Sequence, residues 1–383
     1  MLFETKERTF LGPMGWIEDG WHYLDRSGKV TAQHVRSFLN RWVGEYPTTH
    51  RSALISRLKS GRDDDFEPAT FELIIFALLK ASGCAVEVEP EVPNDSGKRP
   101  DFLVTTPEGQ SVYVEATTAS TKSREAKAAE RRVNQVYAAM DKLDCPAFAI
   151  NVRIQTVSSQ PPNGRNLRHF LRTWIVTIDP DEAFPRAVAS QLSDLPRTVW
   201  RGDGWVIIFE AMARPPERRG LGQRVVGIQW GQAGFVNDWK PIRDAMKRKG
   251  ARYGALPHPY LVAINVDAFK MDKNDELQAF FGREEVVFHT TGEGFLPEIR
   301  LKSDGVWLRD FTRVSGAWIF GGMGPWTFAM HEGTVYSNPW ASKRLPSFFT
   351  RFHHAELTEE GMKWTKGLWP RDVLGLAERW PEE

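Results

Sequence analysis

Two short runs hold the residues whose types and spacing point to chemistry. They are Arg99-Pro100-Asp101-Phe102-Leu103-Val104 and Ser111-Val112-Tyr113-Val114-Glu115-Ala116-Thr117-Thr118, and each carries one carboxylate, Asp101 or Glu115. Side chains alternate across an extended chain, so Glu115 and Thr117 share a face with Tyr113, while Val112, Val114 and Ala116 share the other. A carboxylate at the start of one strand and a second on its neighbour approach each other closely, and such like charges are costly without a cation between them. A hard cation such as Mg²⁺ takes one or two carboxylates plus waters and phosphate oxygens. The pattern therefore predicts a metal site able to handle a phosphodiester. A third acid, Glu72, stands one residue off the apolar stripe Phe71, Ile74, Ile75, Leu78, Leu79 and is expected at the edge of a core.

The elements that must position these acids follow from local pattern. Gly109 separates the two runs and predicts a strand-turn-strand hairpin, and Pro100 suits the first residue of a strand. Residues 85–92 alternate Val86 and Val88 against Glu87 and Glu89, a further strand, and Asn94-Asp95-Ser96-Gly97 reads as a turn. The Phe71 stripe predicts a helix. Asp63-Asp64-Asp65 before it is read as acidic charge suited to a helix start, with Pro68 close by. A long helix is expected over 123–143, basic on one side and apolar on the other. Cys145-Pro146 ends it, and an apolar strand over 147–154 completes the order.

Helix with Glu72, strand, Pro-Asp strand, Glu115-x-Thr117 strand, long helix, strand: this order resembles the PD-(D/E)xK nuclease superfamily over roughly residues 66–155. The resemblance implies a restriction-endonuclease-like αβββαβ core with a mixed sheet, elaborated by further strands and helices in the C-terminal half. It implies that Asp101 and Glu115 hold Mg²⁺ or Mn²⁺, that Glu72 is the additional helix carboxylate, completing the metal site through a water or as a second-metal ligand, and that the substrate is nucleic acid, DNA or RNA. The motif lysine falls at Thr117, which carries no positive charge, so the amine must come from elsewhere. Lys122 is the nearer candidate in sequence and Lys249, on a basic helix over 239–253, the more distant. Lys98, Arg99, Arg124, Lys127 and Lys249 are the candidate phosphate contacts. The alternative is a catalytically inactive scaffold of the same fold that binds nucleic acid or a protein partner. Many members act as dimers, so a homodimer is the oligomer that the resemblance suggests.

Bulk properties narrow the field. The chain has 383 residues with a net charge of +1, which argues against a strong nonspecific nucleic-acid binder but leaves room for a local basic groove among 50 Lys and Arg. Two cysteines, Cys84 and Cys145, make neither a disulfide scaffold nor a Cys-rich zinc site. There is no apolar run of membrane-spanning length and no secretory pattern, so a cytoplasmic protein is expected. The organisation predicted is a partly helical extension over 1–60, a nuclease-like core with insertions over 61–270, and a Trp-rich, strand-containing region over 271–383. Gly321-Gly322-Met323-Gly324-Pro325 lacks the Lys-Ser/Thr of a phosphate loop and reads as a turn. His353-His354 are adjacent and point apart, a poor metal pair.

Overall fold

A computed structural model describes residues 1–93, 97–221, 224–230, 239–267, 271–291 and 294–382. Of the turn read at 94–97, residues 94–96 lie outside the described residues. The chain divides into two compact units. The first is Met1–Gly12, Asp19–Thr121 and Val236–Glu383; the second, Pro13–Glu18 and Lys122–Phe235, is inserted between two parts of the first.

In chain order the first unit begins with helices α1 (Gly20–Arg26), α2 (Val30–Glu45), α3 (Thr48–Leu58) and α4 (Asp63–Ala81). Strands β1 (Ala85–Val88), β2 (Phe102–Thr105) and β3 (Ser111–Ser120) follow as an antiparallel meander. The inserted unit then runs α5 (Arg124–Met140), β4 (Phe148–Thr156), α6 (Gly164–Ile175), α7 (Pro180–Ala189), β5 (Arg197–Gly202), β6 (Trp205–Ala213) and β7 (Val226–Trp230). The first unit resumes with α8 (Trp239–Gly250), β8 (Tyr260–Asp267), α9 (Lys273–Phe281), and the hairpin of β9 (Glu284–Thr291) and β10 (Gly294–Leu301). It closes with β11 (Gly316–Gly321), β12 (Gly333–Ser337), β13 (His354–Thr358), β14 (Gly361–Thr365) and α10 (Pro370–Leu374).

The fold is mixed α/β. Eight strands of the first unit form one mixed sheet in the order β1-β2-β3-β8-β11-β12-β13-β14, with β8 parallel to both β3 and β11. One face is covered by α2 and α4, whose Phe71, Ile74 and Leu78 pack with Phe102, Val104, Val112 and Val114. The other face is covered by α8, whose Ile242 and Met246 pack with Tyr113, Val262 and Ile264. The alternation read in β3 thus resolves into two cores, one on each side of the strand. α4 is buried without interruption from Ala69 to Leu79, and its three aspartates fill the first turn, where negative charge suits the helix dipole.

One expectation changes. The helix and strand expected to complete the core after Glu115 are α5 and β4, and both belong to the inserted unit. There β4 sits in a separate four-stranded sheet, β5-β6-β4-β7, over its own core. The elements that follow β3 in the first unit are α8 and β8. A local helix-strand pattern is the same whichever sheet receives the strand, so sequence periodicity does not separate the two outcomes. Residues 271–383, expected as a region packed on the core, supply β11–β14 to the sheet that holds β1–β3.

Candidate functional site

The β2–β3 register pairs Phe102 with Val114 and Leu103 with Tyr113, so one step further Asp101 comes beside Glu115. Asp101 is half-buried and accepts one hydrogen bond, at 2.7 Å, from the Ala116 N–H. No Lys, Arg or His lies within ion-pair distance of it among the described residues. Burial, then the negative charges of Glu115 and Glu72, push its carboxyl well above the usual carboxylate range.

Glu115 lies deeper, 1% exposed, and both oxygens are taken. Lys249 of α8 donates to Oε1, Tyr253 donates from its hydroxyl to Oε2 at 2.6 Å, and Arg252 Nη1 stands 3.6 Å from Oε1. Tyr253 is also placed within hydrogen-bonding reach of the Arg99 carbonyl, at 3.0 Å, which ties the Glu115 cluster to the residue two before Asp101. Burial and the Glu115 charge raise the Tyr253 hydroxyl pKa, so this tyrosine remains a donor. Tyr260 packs edge-on against Tyr253, with ring centroids 5.8 Å apart, and closes the cluster from β8.

Lys249 arrives there because of its place on α8. The buried side of that helix is Trp239, Ile242, Ala245, Met246 and Lys249, so the lysine occupies a core position of the stripe. The parallel β3–β8 pairing sets the strand under that stripe, with Glu115 opposite Val262. A lysine at a core position is the sequence signal that marks it out from Lys247 and Arg248, which are exposed. Tyr253 lies in the turn just past the end of α8 and is buried in the same core. Sequence reasoning did not single it out.

Glu72, 8% exposed, is held from the other side. Arg57 of α3 donates Nη1 to Oε2 at 2.7 Å and Nη2 to Oε1 at 2.9 Å, and the Tyr46 hydroxyl donates to Oε1 at 2.7 Å. This fork commits both oxygens. Glu72 therefore acts on the site by its charge, which Asp101 feels, rather than as a third ligand.

The remaining sequence candidates fall elsewhere. Thr117 is half-buried on the Glu115 side of β3. Lys122 belongs to the inserted unit and pairs there with Glu130 at 2.8 Å, and Arg124 and Lys127 stand on α5 of that unit. The Lys122 ammonium is thus engaged on α5, while Lys249 is the lysine on Glu115. Arg99 pairs with Glu91 at 2.7 Å, and Lys98 is exposed.

No family model, curated protein or solved structure matches the chain. The site is therefore argued from its own geometry. Its donor set fits a hard divalent cation: two carboxylates offering only oxygen, one of them without a cationic partner. No group of three or more His, Cys, Asp or Glu side chains forms a metal cluster among the described residues. A cation here would rest first on Asp101, Glu115 would join it only by giving up the bond from Lys249 or Tyr253, and waters and substrate oxygens would supply the other positions. No helix among the described residues is long and apolar enough to cross a membrane.

Proposed function

We propose that the chain is a metal-dependent nuclease of the PD-(D/E)xK kind that hydrolyses phosphodiester bonds of DNA, with Mg²⁺ or Mn²⁺ held by Asp101 and Glu115. The observation that carries this reading is the Lys249–Glu115 pair. The motif lysine is missing at Thr117, and α8 brings an ammonium onto the second motif acid from the same face of the sheet. The element order α4-β1-β2-β3-α8-β8, with a meander and then a parallel strand, is the αβββαβ order this reading calls for, with the inserted unit interrupting it after β3.

The bound metal would polarise the phosphate and lower the pKa of an attacking water. The chain's own residues do the rest. Lys249 supplies the positive charge that Thr117 lacks, and Tyr253 fixes the Glu115 carboxylate by its other oxygen. Asp101, with its raised pKa, must lose a proton to hold the cation, so metal affinity rises with pH.

Cleavage of supercoiled plasmid, linear duplex, single-stranded DNA and RNA tests the reading, with EDTA, Mg²⁺ or Mn²⁺, for wild type, Asp101→Ala, Glu115→Ala and Lys249→Ala. Metal-dependent cutting lost in all three variants is the expected result. No cutting of any substrate, with no Mn²⁺ binding by calorimetry, overturns it. One observation favours a second reading, the inactive scaffold: Glu115 is closed from solvent with both oxygens engaged. Nucleic-acid binding without cutting at any metal concentration would select it.

A further inference from the structure

The two units carry opposite charge. The inserted unit has seventeen Lys and Arg against twelve Asp and Glu, net +5, which leaves −4 for the first unit of a chain at +1. Fourteen of those seventeen are arginines. From residue 145 to residue 178, across β4 and α6, the sequence contains no Asp or Glu at all.

Within that acid-free stretch α6 concentrates the charge. Arg165, Arg168, His169 and Arg172 follow i, i+3, i+4, i+7 spacing and share one helix face. Arg165, His169 and Arg172 are exposed and Arg168 is half-buried. None of the three arginines has an acidic partner among the described residues. The opposite face of α6 is anchored: Leu167 and Leu171 are fully buried, and Phe170, Trp174 and Ile175 pack on the unit's core. α6 also packs on α5, where Gly164 lies against Ala139.

We infer that this arginine face of α6 is the surface on which the protein holds the phosphodiester backbone of its nucleic acid. The inference rests on the proposed nuclease function for the identity of the polymer. Unpaired arginines on a rigid helix match phosphate better than lysines would, since a planar guanidinium presents two parallel N–H donors to two oxygens. The seven helical steps from Arg165 to Arg172 span about 10 Å of helix, close to three nucleotide steps of about 3.4 Å each. A basic helix can also lie on an anionic membrane, but it then needs a free apolar face to bury in the lipid. That face of α6 is already committed to the core.

The test measures binding and cleavage separately on the full chain. Fluorescence anisotropy with labelled duplex DNA, single-stranded DNA and RNA is recorded against salt. The proteins are Asp101→Ala, which prevents turnover, and the same chain with Arg165→Ala, Arg168→Ala and Arg172→Ala added. The expected result is about a tenfold or greater loss of affinity in the triple substitution, with the slope of log K against log salt on duplex DNA smaller by about 2.7. Replacing the three arginines by lysine keeps the salt slope and most of the affinity, which excludes a folding defect as the cause. Equal affinity and equal slope with and without the arginines overturns the inference. So does loss of binding to anionic phosphatidylserine vesicles with nucleic-acid binding unchanged. The nuclease reading fails by a different readout: absence of metal-dependent cutting by the wild-type chain, whatever α6 binds.

Discussion

Two carboxylates of the first unit, Glu115 and Glu276, are buried alike and bonded alike, yet only Glu115 has an ammonium and a second acid beside it among the described residues. Each is under one-tenth exposed, and each accepts a hydrogen bond from a buried tyrosine, Tyr253 for Glu115 and Tyr336 for Glu276. Glu115 also has the Lys249 ammonium on its other oxygen and a second carboxylate, Asp101, beside it. Glu276 has no cation within ion-pair distance among the described residues. Its nearest lysine, Lys273, lies 5.5 Å from the Trp364 ring centroid. Burial accordingly pushes the Glu276 carboxyl up to about 7, although the bond from Tyr336 and the charge of Lys273 oppose the rise. Burial and a tyrosine make a structural acid. A fixed counter-charge and a neighbouring acid make the arrangement on which the proposed cation site rests.

The comparison breaks most visibly at Lys249. Lys249→Met leaves Glu115 buried beside Asp101 without its main counter-charge and should destabilise the fold by about 3–5 kcal/mol in urea unfolding. Adding Glu115→Gln to that variant should recover part of the loss, since a neutral amide needs no cation. Unchanged stability in Lys249→Met would mean that the pair does not hold in solution.

Asp101→Asn separates function from stability. Removing a carboxylate that desolvation and two like charges already disfavour should leave stability level or raise it by about 1 kcal/mol. Cleavage should fall by at least about a hundredfold, because the acid of the pair that has no cationic partner among the described residues is lost. A fall in both would recast Asp101 as structural.

Glu276 sharpens the comparison through pH. A carboxyl whose folded pKa is raised binds more protons in the native than in the unfolded chain between its ordinary value and about 7. Its contribution to stability is therefore complete at low pH and is lost as pH rises through that window, with a slope of at most about 1.4 kcal/mol per pH unit. Glu276→Gln should flatten this slope in thermal unfolding between pH 5 and pH 7 on the order of that amount. Asp101, Asp141 and Asp275, whose shifts have the same sign, contribute to any slope that persists, and Asp101→Asn should reduce it.

The smallest effect is a rescue. Thr117→Lys places an amine at the motif position, on the Glu115 side of β3. In a Lys249→Ala background it should restore cleavage by about tenfold, as one electrostatic donor replaces another. No gain would show that the amine must approach from α8.

What could be read from the sequence was local. The Pro100-Asp101 strand start, the alternation through Glu115 and the helix carrying Glu72 are short-range patterns, and each stands where its pattern put it. Arg57 and Tyr46, which neutralise and bond Glu72, precede it on separate helical segments, and no periodicity links them to it. Lys249 lies 134 residues from its partner, so spacing named it only among other lysines of a basic helix. Its position on the apolar stripe of α8 carried the better information. α5 and β4 misled because an inserted unit that opens with a helix and then a strand looks the same, locally, as the continuation of the first sheet.

The pairing of β3 with β8 also sets an order of events in time. Tyr113 and its partner Tyr260 are separated by 147 residues, most of them in the inserted unit. At about 5–20 residues per second of synthesis, that interval is roughly seven to thirty seconds. Throughout it β3 has no parallel neighbour and offers an open strand edge to any extended chain nearby. The inserted unit, nearly contiguous in sequence, is complete before β8 leaves the ribosome. The acid pair thus waits for its lysine until a late stage of translation, and a nascent chain stalled before α8 would expose the edge without the charge that completes the site.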